Sequence, residues 1–351
     1  MVQIKPFRGM FYNRAKTDIR DVVSPPWDVI SASSDYSKYN IVHIDLNKDK
    51  QLFDQLLADD ILITDDRPAI YLYRQKYTWD GASRQRTGIV ALTMLENYGK
   101  STIMPHEKII PSHTQDRLDS LRALRANFSP IFTLHEGTIE IETNSEPMFD
   151  VTHDGVTNSI WPIYDEATIK RIQDEMSCRQ LYVADGHHRY GSALRYKDEC
   201  PEARYVLMYF TAMDENLIIL PSHRVLDIRV DIDKLREAFN VSEPMNEYQL
   251  SSAIIMYHGG EYRTLALKDT SSLSDIIDLH SVLGGLDVRM SYTKNAQEAI
   301  AKADSLKGTA FLVNAVTPDE IVIVCNASEI FPQKATYFYP KVLSGLVMYK
   351  F

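Results

Sequence analysis

Leu181-Tyr182-Val183-Ala184-Asp185-Gly186-His187-His188-Arg189-Tyr190 is the stretch on which the reading of this chain turns. Residues 181–184 read as a short buried strand and Asp185-Gly186 as a tight turn. Residues 188–197 read as a helix, with Ala193, Leu194 and Tyr196 available to pack. A strand that turns through glycine into a helix gathers backbone N–H groups and the positive end of the helix dipole at one spot. That spot favours an anion, phosphate above all. Arg189 falls in the first helical turn, where a planar guanidinium is able to clamp two phosphate oxygens. The same residues also fit a surface turn with capping or packed histidines, and it is the other polar boxes of the chain that favour a site.

Upstream, Pro25-Pro26-Trp27-Asp28 cannot be a central strand, because proline donates no ladder hydrogen bond; it reads as a rigid extended crossing. Trp27 fits the core, and Asp28 fits either a turn cap or a site. Residues 41–46 read as a strand, and 51–60 as an amphipathic helix with Leu52, Phe53, Leu56 and Leu57 inward. Residues 70–74 and 87–95 read as strands, the first hairpinned through Trp79-Asp80-Gly81. A second polar box follows, with His106, Glu107, Lys108 and His113 in a loop tethered by Pro105 and Pro111. Thr114 is expected to cap a helix running to about Ala126, with Arg117, Arg122 and Arg125 on its wet face.

Residues 131–134 read as a strand, His153-Asp154-Gly155 as a hairpin turn, and 167–176 as a helix capped near Asp165. Downstream of the central stretch, 205–213 and 217–220 read as a hairpin. It leads into Leu220-Pro221-Ser222-His223-Arg224, where Arg224 fits a structural ion partner or a ligand contact. Residues 231–330 carry helices and short strands without a legible motif. The tail, Phe331 to Lys341, is aromatic and holds Lys334, Thr336 and Lys341; such a tail must dock to be soluble. The pattern is that of a mixed α+β fold with mixed sheets, divided into an N-terminal region 1–140, a central region 141–230 and a C-terminal region 231–351 whose tail returns to the site.

The 351 residues carry a formal net charge of −10 and no compensating basic run, which disfavours nucleic acid and anionic membranes as partners. The three cysteines form no C-x-x-C pair, so neither a disulfide framework nor a zinc site is expected. The N-terminus lacks a signal-peptide core and no stretch approaches transmembrane length, which reads as cytoplasmic. Adjacent histidines project in different directions and seldom chelate one ion, so His187 and His188 are not expected to hold a metal. Glu107 is the expected general base, with His106 orienting or replacing it and Asp28 as the next choice. Asp185, Gly186, His187, His188, Arg189, Arg224, Lys334, Thr336 and Lys341 are the expected phosphate or nucleotide contacts.

Taken in order, Pro25-Pro26-Trp27-Asp28-Val29, Pro105-His106-Glu107, Asn127-Phe128-Ser129-Pro130, Asp185-Gly186-His187-His188-Arg189, Leu220-Pro221-Ser222-His223-Arg224 and the Lys334–Lys341 tail resemble domain-of-unknown-function family 1015, a prokaryotic family. Trp27 stands where its members usually carry tyrosine, and Ala335 where they often carry serine. The Asp185–Arg189 box is also similar to the phosphate-binding box of the sulfiredoxin/ParB-like fold, which includes a kinase acting on free serine. That resemblance implies a ParB/sulfiredoxin-like nucleotide-binding core and ATP or ADP with Mg2+ as cofactor. Members of the family lie beside serine-biosynthesis genes, which points to serine or phosphoserine as the other ligand. Phosphotransfer or dephosphorylation involving free serine is one expectation; a nucleotide-binding regulatory protein of ParB-like type is the alternative, and a homodimer is compatible with either.

Overall fold

The strand–turn–helix read from the sequence is present: Leu181–Asp185 is a buried strand and His187–Glu199 a helix, joined by Gly186. The structure is a computed structural model that describes residues 1–26, 30, 36–97, 102–143, 145–248, 253–269, 271–284, 286 and 289–351. Trp27 and Asp28 lie outside the described residues. The fold is mixed α+β with mixed sheets. The chain forms two compact units, one of Met1–Pro105, Ile109–Leu217 and Pro340–Phe351, the other of His106–Lys108 and Ile218–Tyr339.

The first unit is built on a nine-stranded mixed sheet among the described residues. Its order runs Ile103–Pro105, Leu181–Asp185, Ile131–His135, Tyr205–Ala212, Ala82–Met94, Ile70–Trp79, Val156–Ile163, Phe149–His153, with Ile4–Lys5 also paired to Ala82–Met94. Leu181–Asp185 runs parallel to Ile103–Pro105 and antiparallel to Ile131–His135. Strands with neighbours on both edges and buried faces read as continuous apolar runs, which is the pattern of Tyr205–Ala212. The helices Pro111–Leu124, Glu166–Ser177 and His187–Glu199 bury Leu118, Leu121, Ile169, Ile172, Met176, Tyr190 and Ala193 against that sheet. A smaller core gathers Phe53, Leu56, Phe128 and Met348.

In the second unit, a six-stranded antiparallel sheet runs Phe239–Val241, Glu261–Leu267, Ile254–His258, Thr309–Leu312, His223–Leu226, Met290–Thr293. The helix Ala296–Leu306 packs Ala299 and Ala303 on one face against Val225, Ile255 and Leu312. A separate pair of short strands joins Ile218–Leu220 to Tyr337–Tyr339.

Four sequence expectations need correction. Residues 41–46 read as a strand because Ile41, Val42 and Ile44 are β-branched, yet Ile41–Asp45 is a helix. Asn40 caps it by accepting from the Val42 N–H, and burial of the three side chains then outweighs their propensity. Thr114 is not a cap: the helix begins one turn earlier at Pro111, whose fixed φ and missing N–H suit a first turn, and this also carries His113 into the helix. Arg117 is not on a wet face but buried at 4% exposure, bonded to Asp45 and Asp116. Finally, 205–213 and 217–220 do not form a hairpin, because Tyr205–Ala212 has both edges occupied by Ala82–Met94 and Ile131–His135. Residues 218–220 pair with the tail strand instead. The hairpins at Asp80-Gly81 and Asp154-Gly155 are as read, each with both turn residues at positive φ.

Candidate functional site

At the end of the strand Leu181–Asp185 the pairing register shifts between Val183 and Asp185, an irregularity of the kind that re-aims a side chain at a strand end. Gly186 then takes φ 97°, a left-handed conformation that costs a residue with a Cβ, and serves as N-cap of the helix without any side-chain cap. The first helical N–H groups have no acceptor within their own helix, and the dipole makes this end positive. Gly186 is required for a second reason: a Cβ there would stand 2.9 Å from both Nε and Nη2 of Arg189.

Arg189 folds back over this turn. Its Nη1 donates to the Ser129 hydroxyl at 2.7 Å and to the Pro130 carbonyl at 2.8 Å, and Nη2 lies 3.8 Å from Asp185 Oδ2. The side chain is only 14% exposed, so it is not the surface-facing arginine that a first-turn position suggests. Its Nε is buried without a hydrogen-bond partner among the described residues. The Asn127-Phe128-Ser129-Pro130 box thus acquires a physical role as the holder of this guanidinium.

Asp185 faces a second cation, Lys341, whose Nζ lies 3.2 Å away. Burial pushes the Asp185 carboxyl upward, but Lys341 first and Arg189 next outweigh it and hold the group well below the ordinary carboxylate range. Lys341 is placed by polar residues buried in the sheet. Asn158, Gln75 and Arg86 stand opposite one another on three adjacent strands. Gln75 Nε2 donates to Asn158 Oδ1 at 2.9 Å and to the Lys341 carbonyl at 2.8 Å, while Arg86 donates to Gln75 and to the Pro340 carbonyl. Tyr73 donates to Asn158 and accepts from the Leu343 N–H. None of these four residues is singled out by the sequence reading. Their signal is Gln75 in phase with the buried Tyr73 and Tyr77, a polar residue on an apolar face.

The two histidines of the central box separate. His187 is buried. His188 Nδ1 accepts from the Ile110 N–H at 3.4 Å and lies 3.4 Å from the Thr114 hydroxyl oxygen, and its ring meets that of His113 edge-on at 5.1 Å. It therefore fastens the neighbouring helix at its start.

The second unit holds the other expected residues. His106 is fully buried, its Nε2 2.9 Å from the Thr336 hydroxyl and its ring edge-on to Phe338. Glu107 is half-buried, and its Oε1 accepts the Lys334 N–H at 2.7 Å. Lys334 takes φ 57°, with its side chain exposed. Strand pairing between 106–108 and Phe331 holds this arrangement together. Arg224 is fully buried in the strand His223–Leu226, and Nη1 donates to the Ser222 carbonyl at 2.9 Å. Asp185, Gly186, His187, His188, Arg189 and Lys341 thus belong to the first unit, and His106, Glu107, Arg224, Lys334 and Thr336 to the second.

Among the described residues no group of three or more His, Cys, Asp or Glu side chains is arranged to hold a metal ion, and no helix is long and apolar enough to cross a membrane. Solved structures similar in chain path include SbnI with a C-terminal truncation from Staphylococcus aureus, 16% identical over 73% of this chain and 85% of that one, with TM-score 0.47. A free serine kinase mutant in complex with AMP is 11% identical over 71% of this chain and 88% of that one, with TM-score 0.45. A conserved hypothetical protein from Pyrococcus furiosus is 14% identical over 69% and 89%, with TM-score 0.42. At such scores the likeness carries no functional argument. No curated protein matches the chain. A family model matches residues 4–289, and the chain belongs to the family described as Protein of unknown function (DUF1015).

Proposed function

We propose that this protein moves a phosphoryl group to or from free serine, with the phosphates of ATP or ADP bound where the strand Leu181–Asp185 meets the helix His187–Glu199. The observation that carries the reading is Arg189. Its guanidinium is fixed through Nη1 by Ser129 and Pro130, leaves Nε buried and unpaired, and stands beside Lys341 and an uncapped helix start. Two cations around one carboxylate leave a net positive charge, and a phosphate oxygen is the partner such a group lacks. Serine or phosphoserine is the choice suggested by the family's gene neighbourhoods.

In this reading a general base takes the proton of the serine hydroxyl as its oxygen bonds to phosphorus, and Glu107, then His106, are the residues that the sequence offers for that role. The bond from phosphorus to the nucleotide oxygen breaks, and the charge on that leaving oxygen is met by Arg189 and Lys341. Mg2+, if used, would be carried largely by the nucleotide's own phosphates and waters, since it seldom relies on an all-protein cage.

The test is phosphorus NMR of the protein with Mg2+, serine and either ATP or ADP, and of the reverse reaction with phosphoserine. Turnover should appear with one nucleotide and fall by about 100-fold or more in Glu107→Gln. Arg189→Lys should weaken ADP binding in calorimetry; equal affinity would sink the phosphate site. A parent protein that binds nucleotide but turns nothing over would be a nucleotide-binding regulatory protein instead.

A further inference from the structure

The large sheet of the first unit carries a groove on the face away from the residues that seat Lys341. Along the strand Ile70–Trp79, alternation puts Leu72 and Arg74 on one face and Tyr73 and Gln75 on the other. The groove has a volume of about 230 Å³, below the roughly 300–1,000 Å³ of sites for drug-sized ligands. Strand register builds its floor. Leu72 stands opposite Ile89 and Ile89 opposite Phe210, while Arg74 stands opposite Thr87 and Ala212 opposite His135. Residues 138–141 form a wall, with Ile139 and Ile141 packed on the core of the sheet. Two arginines fix that wall: Arg179 donates to the Gly137 carbonyl at 2.6 Å and the Thr138 carbonyl at 2.9 Å, and Arg171 to the Glu140 carbonyl at 2.7 Å.

Arg74 is the cation of this groove. It is half-buried, its guanidinium carbon lies 4.9 Å from the centroid of the Trp161 ring, and its Nε is buried without a hydrogen-bond partner. Its side chain makes no hydrogen bond and no ion pair among the described residues. A guanidinium stacked on a ring keeps the N–H groups in its own plane for an acceptor, and a carboxylate matches two of them at once. His135 adds no charge, because burial and then Arg179 push its imidazole down to about 4. Two acids also line the groove. The Glu140 side chain is exposed, and Asp214 Oδ1 accepts the Asn216 N–H at 2.8 Å. Both reach solvent, which screens them, yet a dianion such as phosphate would meet twice their repulsion with one cation in return. A single carboxylate suits Arg74, and the row Leu72, Ile89 and Phe210 suits an aliphatic body beside it.

We propose that this groove binds a small aliphatic monocarboxylate, its carboxylate on Arg74 and its chain against Leu72, Ile89 and Phe210. The groove lies wholly within the first unit and shares no residue with the proposed phosphate site. The inference therefore stands apart from the phosphotransfer reading.

The experiment is calorimetry on the full chain with isovalerate, its neutral isostere isovaleramide, acetate and inorganic phosphate, with ADP titrated in parallel. Isovalerate should bind. The amide lacks the charge, acetate lacks the body and phosphate carries too much charge, so each should bind at least about tenfold more weakly. Arg74→Gln should weaken isovalerate binding by at least about tenfold and leave ADP binding unchanged. Ala212→Leu, which fills the floor next to His135 and leaves Arg74 in place, should abolish isovalerate binding. Failure of the parent to bind isovalerate at millimolar concentration overturns the inference. So does isovaleramide or phosphate binding as tightly as isovalerate, or undiminished isovalerate binding in a folded Arg74→Gln or Ala212→Leu. A parent that binds ADP and no isovalerate refutes this inference alone; one that binds isovalerate and no ADP refutes the phosphate site alone.

Discussion

Lys341 Nζ stands 3.2 Å from Asp185 Oδ2, an ion pair between residues 156 positions apart in the chain. It ties the C-terminal tail to the strand–turn–helix, and both side chains are largely removed from solvent, at 12% and 17% exposure. An ion pair so placed is expensive to break from one side, because the remaining charge stays buried.

Lys341→Met should therefore cost about 3–5 kcal/mol at pH 7. The sign with pH follows from Asp185. Its carboxyl is held below the unfolded value near pH 3.9, so its contribution is present above that pH and is lost as pH falls below it. The stability gap between parent and variant in urea unfolding should narrow on going from pH 7 to pH 3. A gap that stays constant would mean that the pair contributes nothing through charge.

Asp275 titrates in the opposite sense. Burial, and then the neighbouring Glu320, push its carboxyl up to about 6, against the Ile276 N–H and Arg224. A folded pKa above the unfolded one favours the folded state while the group is protonated, and that advantage is lost as pH rises from about 4 through about 6. Asp275→Asn should consequently be more stable than the parent at pH 8 by about 1–3 kcal/mol. The difference should fade toward pH 4 in thermal unfolding, and a variant less stable at pH 8 would contradict this account.

Gly186→Ala tests the turn. The left-handed backbone at φ 97° costs about 1–2 kcal/mol once a Cβ is present. The new methyl also meets Arg189 at 2.9 Å and must displace it. Both a lower melting temperature and weaker ADP binding are expected. A variant with lowered stability and parental ADP affinity would separate the turn from the binding role of Arg189.

Arg117→Ala should destabilise by about 3–5 kcal/mol in chemical denaturation, since it strands Asp45, whose side chain is 13% exposed. The double variant Arg117→Ala with Asp45→Ala should recover part of the loss. No recovery would show that the arginine acts through packing of its aliphatic stem rather than through charge.

What the sequence determined by itself is whatever is encoded within a few residues. The strand, the glycine turn and the helix around Asp185 are local: apolar run, positive-φ glycine and helix-permissive segment lie side by side, and so do the Asp80-Gly81 and Asp154-Gly155 hairpins. Membership of the family whose model matches residues 4–289 was likewise legible in the sequence. Local signals misled where burial or pairing decides, as at Ile41–Asp45, where a cap and buried contacts overrode β-branched propensity, and at Arg117, whose partner Asp45 lies 72 residues away. Only the tertiary structure decided that Ser129 and Pro130 hold Arg189, that Gln75, Arg86 and Asn158 align across three strands to seat Pro340 and Lys341, and that Arg224 is buried with one edge unpaired. Each of these depends on strand register and on long-range pairing. Register is set by how whole strands bury their faces, so no short window of sequence contains it.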